Sequence, residues 1–202
     1  MKCPQLELNE VAEEQTVSVS ELRTYAENAG VPKRFLDATF ENTQNICTQK
    51  VKDFVEFGKG VLILMGTNGT GKTRLACAAI NKRIRNRKNP GMYISCNYEV
   101  CPLIRSSRSF RAEKSEYDVL QEFYTTPFLV LDEIGKGDDS VISKMFVTCV
   151  LAARYDNNLP TLITTNLDKN GLAEFVGQDI SSRFKETAMI GVLAGNDMRG
   201  AN

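Results

Sequence analysis

Residues 61–73 read Val-Leu-Ile-Leu-Met-Gly-Thr-Asn-Gly-Thr-Gly-Lys-Thr, an apolar run that breaks into a glycine-rich turn, and the helical-looking stretch RLACAAINKRI follows. Residues 66–73, GTNGTGKT, satisfy the pattern GxxxxGK[ST] in full, and they do so between a predicted strand and a predicted helix, as the chemistry of the pattern demands. Gly69 and Gly71 let the backbone wrap so that its N–H groups and the helix N-terminus face an anion that side chains would obstruct. Lys72 is then placed to reach the β and γ oxygens of a triphosphate, and the Thr73 hydroxyl to ligate Mg²⁺. The nucleotide-binding set predicted from this loop is Gly66, Thr67, Asn68, Gly69, Thr70, Gly71, Lys72 and Thr73.

Outward from this loop, the chain after residue 60 alternates short continuous apolar runs with helical segments, which is the pattern of a parallel sheet covered on both faces. Strands are predicted over 61–65, 92–96, 128–131, 161–165 and 188–193, with helices near 72–87, 113–123, 140–156 and 171–185. The expected product is a three-layer α/β sandwich with its ligand at the carboxyl ends of the strands. Upstream, residues 1–19 are acidic and without helical period and are expected to be flexible. Residues 20–59 read as a helical extension and linker: one helix capped by Ser20 and stopped by Gly30, an irregular connector, and a second helix from Thr43 to Phe57 with Ile46, Val51, Phe54 and Val55 on its apolar side.

The strand Phe128-Leu-Val-Leu ends in Asp132 and Glu133, which puts two acids at the tip of a buried strand. Asp132 is suited to hold Mg²⁺ through water, and Glu133 to polarise an attacking water as general base. The letters DEIG also fit the DxxG element of GTPases, but no [NT]KxD guanine-reading motif follows. Residues 161–166, TLITTN, place Asn166 at the next strand tip, where its amide can bond the attacking water or the γ-phosphate. The plain alternative is that Asn166 caps the turn NLDKNG. In the segment ISSRF, Arg183 lies late in a helix, out of easy reach of its own loop; it is either a surface ion-pair partner or a group offered to a neighbouring subunit.

Bulk composition bounds the rest. The 202 residues, 42% hydrophobic, are sufficient for one good core, and Lys+Arg and Asp+Glu both number 25, so net charge points to no partner class. The six cysteines include no CxxC pair and the chain has no histidine, which disfavours a zinc site; the thiols are expected to be reduced and mostly buried. The start MKCPQLELNE has no apolar signal core and no window approaches the roughly 18 apolar residues of a membrane span, so a cytoplasmic location with no membrane contact is expected.

Taken together, GTNGTGKT, FLVLDEIG, TLITTN and ISSRF, in this order and spacing, resemble the Walker A, Walker B, sensor 1 and arginine-finger elements of an AAA+ ATPase. Within that superfamily the sequence is similar to the DnaC-type helicase loaders and the related IstB transposition helpers: the connector GVPKRFLDATFEN, the ending DEIG and the tail GNDMR at 195–199 all resemble theirs. The resemblance covers about residues 30–199 and implies an AAA+ core over 60–202, a sheet of order 5-1-4-3-2, and no C-terminal helical lid. It also implies ATP and Mg²⁺ as cofactors, Arg183 acting in trans on an adjacent protomer, and Arg199 as a sensor-type arginine near the γ-phosphate. As a bare sequence feature, Arg199 reads equally well as a basic residue on a frayed terminus. The acidic first residues and one short helix stand where the loaders usually carry a larger helicase-gripping region.

Arg105, Arg108, Arg111 and Lys114, interrupted by Phe110, follow the second strand; they are a candidate track for a single-stranded DNA backbone with Phe110 stacked on a base. Lys82, Arg83, Arg85, Arg87 and Lys88 crowd the end of the helix after the phosphate loop, where they serve equally as complements to the helix dipole. Met145, Phe146 and Cys149 sit at helical spacing and are expected in the core. The function expected is that of an ATP-hydrolysing replication factor that loads a replicative helicase on single-stranded DNA. The alternatives are an IstB-like transposition helper, or a nucleotide-gated binding protein that occupies a helicase or loader without turnover.

Overall fold

The computed structural model describes residues 17–43, 45–136 and 141–194; most of the expected flexible N-terminus, and Arg199, lie outside them. The order of elements is α1 (Val19–Asn28), a short 3-10 turn (Lys33–Phe35), α2 (Thr48–Phe57), β1 (Val61–Met65), α3 (Lys72–Arg85), β2 (Met92–Ser95), α4 (Val100–Ser107), α5 (Glu116–Thr125), β3 (Leu129–Ile134), α6 (Val141–Asp156), β4 (Thr161–Thr165), α7 (Lys169–Thr187) and β5 (Met189–Val192). All strand pairs are parallel, in the order β2-β3-β4-β1-β5, which is the expected 5-1-4-3-2 counted from the opposite edge.

The two-residue period of the strands divides the core. Leu62, Leu64, Val130 and Leu162 join the face covered by α1, α2 and α3, whereas Val61, Ile63, Leu129, Leu131 and Ile163 join the face covered by α4 to α7. Asp132 and Thr164 continue the first of these alternations, so both project toward α3, the helix that begins at the phosphate loop. Geometry of the site thus follows from strand parity before any contact is considered.

Residues 22–55 pack onto that same face, where Leu22, Ala26, Phe40, Val51, Phe54 and Val55 are all buried. They also cover both sheet edges: Tyr93 N–H donates to Ala29 O at 2.7 Å on the β2 edge, and Lys50 Nζ donates to Ile190 O at 2.6 Å on the β5 edge. Capping exposed strand groups in this way blunts an edge that would otherwise pair with another chain.

Several boundaries differ from the sequence reading. Helix α1 is capped by Ser18 rather than Ser20, because Ser18 and Glu21 form a reciprocal capping box, with Glu21 N–H on Ser18 Oγ at 3.2 Å and Ser18 N–H on Glu21 Oε2 at 2.9 Å. Helix α2 starts at Thr48, not Thr43; Asn45 Oδ1 accepts from Cys47 N–H and Thr48 Oγ1 from Asn45 N–H, both at 2.8 Å, and this turn leaves Ile46 exposed. A short helix, α4, occupies residues given no element. Met145 and Cys149 are exposed, and only Phe146 of that group is buried. The described cysteines are free, three of them buried, and burial pushes the Cys77 and Cys96 thiols well up, which keeps them protonated.

Candidate nucleotide site

The phosphate loop joins β1 to α3. A side chain at Gly66 would place its Cβ 2.3 Å from Leu193 O, and Gly71 sits in the left-handed region (φ 85°) as the residue that opens α3. No side chain caps α3 and no acid lies in its first turn, so its leading N–H groups face the loop's concavity with the positive end of the helix dipole behind them. Lys72, only 7% exposed, lies back across the loop and donates to Gly66 O at 2.8 Å and Thr67 O at 2.7 Å. This arrangement holds the loop in its curled form.

Opposite it, Asp132 is 2% exposed and accepts from three hydroxyls. Thr164 Oγ1 lies 2.5 Å from Oδ1, Tyr93 Oη lies 2.7 Å from Oδ2, and Thr73 Oγ1 is 3.1 Å from both. Burial raises the Asp132 pKa above the ordinary carboxylate value, the hydroxyls oppose that rise, and the charge on Glu133 adds to it. Glu133 takes a left-handed backbone conformation (φ 58°) at the point where the register between β3 and β4 shifts. Such a conformation costs a glutamate about 1 kcal/mol or more, and here it is held by the Glu133 N–H, which donates to Thr164 Oγ1 at 2.9 Å. The Glu133 carboxylate meets Asn97 Nδ2 at 3.3 Å and pairs with Lys136.

Asn166 Nδ2 donates to Asn68 Oδ1 at 2.8 Å, so the tip of β4 is tied directly to the phosphate loop. These groups line one cavity of about 670 Å³ that includes residues 68–73, Glu133, Thr164 and Asn166. Its far wall comes from the connector and the turn before α2: Arg34, Phe35, Asn42, Thr43 and Asn45. Sequence reading missed this wall, and it missed Tyr93. A polar-tipped ring inside an otherwise apolar strand was the available signal for Tyr93; the wall depends on tertiary docking and has no local signature.

The residues present fit a magnesium–triphosphate group. Thr73 and Asp132 offer hard oxygen donors side by side, and Mg²⁺ is commonly held by one or two carboxylates together with substrate phosphates rather than by a closed protein cage. Among the described residues no cluster of three or more acid, cysteine or histidine side chains forms a metal cage of its own.

Other predicted residues lie elsewhere. Arg183 is not among the residues lining the cavity; on α7 it donates to Asp156 Oδ1 at 3.1 Å and lies 4.9 Å over the Tyr155 ring. Gly177 breaks α7 ahead of it (φ 83°, ψ 169°). Of the cations between β2 and β3, Arg108 is held by Glu116 at 2.5 and 2.7 Å and Lys114 by Glu122, while Arg105 and Arg111 are exposed and Phe110 is wholly so. Residues 109–115 are not helical, so Arg105, Phe110, Arg111 and Lys114 do not share one helix face.

The family described as IstB-like ATP binding protein matches residues 9–182. The chain belongs to that family. The IstB-like chain is also 25% identical, over 167 residues, to a protein named replicative helicase loader DnaC from Escherichia coli strain K12, covering 78% of this chain and 66% of that one. It therefore spans slightly less than two thirds of that relative's length. Among solved structures, that of a DnaC helicase loader matches with a TM-score of 0.65 at 22% identity, over 81% of this chain and all of the other. AMPPCP-bound DnaA from Aquifex aeolicus matches with a TM-score of 0.64 at 17% identity, over 84% of this chain and 53% of the other, and agrees in fold. The chain is thus IstB-like in family and shares the fold of a DnaC helicase loader. Among its described residues no helix is long and apolar enough to cross a membrane.

Proposed function

We propose that this IstB-like protein binds and hydrolyses ATP with Mg²⁺ and uses the cycle to act as a helicase loader on single-stranded DNA. The observation that carries this reading is the convergence of Thr73, Glu133 and Asn166 on the cavity that the phosphate loop closes, with Asp132 buried directly behind Thr73. In it the loop amides and Lys72 bind the phosphates, Thr73 and Asp132 hold Mg²⁺, Glu133 takes a proton from the attacking water, and Asn166 orients that water. The metal supplies charge neutralisation at the transferring phosphoryl group. Arg199 belongs to the same proposal as a γ-phosphate sensor.

Arg183 acts in trans. It lies away from its own cavity, and a surface pair such as that with Asp156, whose side chains are 33% and 63% exposed, is weak enough to exchange for a neighbour's phosphate. All five members of the DNA track are exposed, but Arg108 and Lys114 are ion-paired with Glu116 and Glu122 and are recruited only if those acids let go. A replicative helicase is the partner, on the strength of the named relative. Membership of the IstB-like family leaves a second reading, that of an IstB-like transposition helper acting on duplex DNA.

One experiment separates these readings: ATP turnover measured with no DNA, with single-stranded DNA and with duplex DNA, alongside pull-down of a replicative helicase. A loader responds to single strands and retains the helicase; a transposition helper responds to duplex and does not. Lys72→Ala is expected to abolish turnover, and Arg105→Glu with Arg111→Glu to flatten the salt dependence of single-strand binding by about two phosphate contacts. Turnover unaffected by Lys72→Ala would remove the site assignment.

A further inference from the structure

Two of the three hydroxyls on Asp132 come from segments already read as nucleotide machinery, the phosphate loop and the strand that leads into Asn166. The third, Tyr93, comes from β2 and has no role in that reading. We propose that Tyr93 is a positioning residue for the metal site: its phenol O–H orients the Asp132 carboxylate so that Asp132 and Thr73 present their oxygens to one divalent cation. The proposal rests on the reading that Mg²⁺ and ATP bind this cavity.

The strand register explains the contact. Tyr93 stands opposite Val130, and Ser95 opposite Asp132, in the parallel β2–β3 pair. Tyr93 and Val130 both belong to the α3-side core, so the ring rises on the face from which Asp132 also projects, and the length of the phenol spans one step along the neighbouring strand. A serine or threonine at this position is too short to do so. A phenylalanine fills the space without the donor.

The bond has a directional consequence. Thr164 serves Oδ1 and Tyr93 serves Oδ2, from the strands on either side of β3, while Thr73 sits equidistant from both oxygens. A carboxylate's terminal torsion is broad and nearly two-fold, so it turns readily unless both ends are held. Thr164 and Tyr93 are those two holds. Thr73 is left at the open side, where its hydroxyl can keep donating to Asp132 while its lone pairs face the phosphate loop.

Tyr93 is itself anchored from outside the sheet. Its N–H donates to Ala29 O at 2.7 Å, and a Cβ at Gly30 would fall 2.4 Å from Tyr93 O, so the chain leaving α1 packs directly on its backbone. The same chain continues into Arg34 and Phe35 on the far wall of the cavity. Tyr93 therefore links the wall that faces the rest of the nucleotide to the carboxylate that faces the metal.

The test is Tyr93→Phe, compared with the parent by calorimetric titration of ATP in EDTA and across a Mg²⁺ series, with thermal melts of both proteins. Lost outer-shell partners cost metal sites roughly 10- to 100-fold in affinity. The expected result is unchanged ATP affinity in EDTA and a half-saturating Mg²⁺ concentration raised about tenfold or more. A Tyr93→Phe protein that melts lower but needs no more Mg²⁺ than the parent overturns the proposal, since that is the behaviour of a structural hydroxyl alone. If Tyr93→Phe does not fold, Tyr93→Met removes the same O–H with freer repacking and is read in the same way. Failure of the parent to bind ATP with Mg²⁺ is a separate outcome, which overturns the site reading itself.

Discussion

At the amino-terminal end of β4, the guanidinium of Arg154 is 1% exposed and donates to Phe123 O, Thr126 O, Pro160 O and Thr161 Oγ1 at 2.7–2.9 Å. At the opposite end of the sheet, the carboxylate of Asp132 is 2% exposed among the hydroxyls of Thr73, Tyr93 and Thr164. Each end buries a charge, and each satisfies it with neutral groups, yet the partners differ in kind. Three of the four acceptors around Arg154 are backbone carbonyls, fixed by the turns that carry them; burial alone pulls the Arg154 pKa down to about 10, so the group stays charged and locked. The hydroxyls around Asp132 can rotate, and Thr73 can bond a cation and a carboxylate at once. A buried charge caged by carbonyls fastens the fold, and one caged by hydroxyls beside a cavity is available for chemistry.

If this division holds, substitutions at the two ends give crossed results. The largest effect is expected from Glu133→Gln, which removes the proposed base but preserves volume and backbone: turnover is expected to fall about 10²- to 10⁴-fold, while ATP binding and melting temperature stay near the parent's. Single-turnover kinetics and a thermal melt of the same sample check both halves. Hydrolysis at the parent rate would contradict the role given to Glu133. Next comes Arg154→Met, which strands several buried carbonyls and is expected to cost about 3 kcal/mol, or on the order of 10 °C in melting temperature for a chain of this size. Well below its own melting point, this variant should bind nucleotide within about twofold of the parent (under ~0.5 kcal/mol). Lost binding there would show that the two ends are coupled and that the comparison is too simple.

Much of the functional end was legible in the letters, and almost none of the structural end was. The strands 61–65 and 161–165 match residue for residue, because continuous apolar runs bounded by glycine, proline and polar turns admit few alternatives. The placement of Thr73 beside Asp132 follows from motif spacing together with a parallel sheet. Arg154, by contrast, reads in sequence as an ordinary cation in the last turn of a helix; only the docking of α5 and the Pro160 turn makes it a buried clamp. Helix α4 was missed because its eight residues include Pro102 and end in two serines, and Pro102 is tolerated only because it falls in the first turn. Tyr93 and the cavity wall from Arg34 to Asn45 arise from register and packing, which no local window encodes.

The smallest expected effect is the one that separates the two ends most directly. The pKa of Asp132 in the folded chain lies above its ordinary 3.8, so the folded state binds that proton more tightly than the unfolded state does. Its contribution to stability is therefore fully present below the unfolded value and is lost as pH rises through the folded value, which leaves the ionised Asp132 a net liability to the fold near neutrality. Asp132→Asn removes that dependence, and the hydroxyl that faces the amide nitrogen can turn to accept from it while the other keeps donating to the amide oxygen. Without nucleotide, the variant should melt above the parent at pH 7, with the gap narrowing toward pH 4. Adding Mg²⁺ and ATP should reverse the order, because ligand at about 100 times the parent's dissociation constant stabilises the parent by about 2.7 kcal/mol and a variant with a weakened metal site by less. Arg154, whose pKa is about 10, produces no comparable trend across that range. An Asp132→Asn protein that melts below the parent at pH 7 in the absence of ligand would mean that the hydroxyl cage holds the fold together as the carbonyl cage does, and the contrast between the two ends would fail.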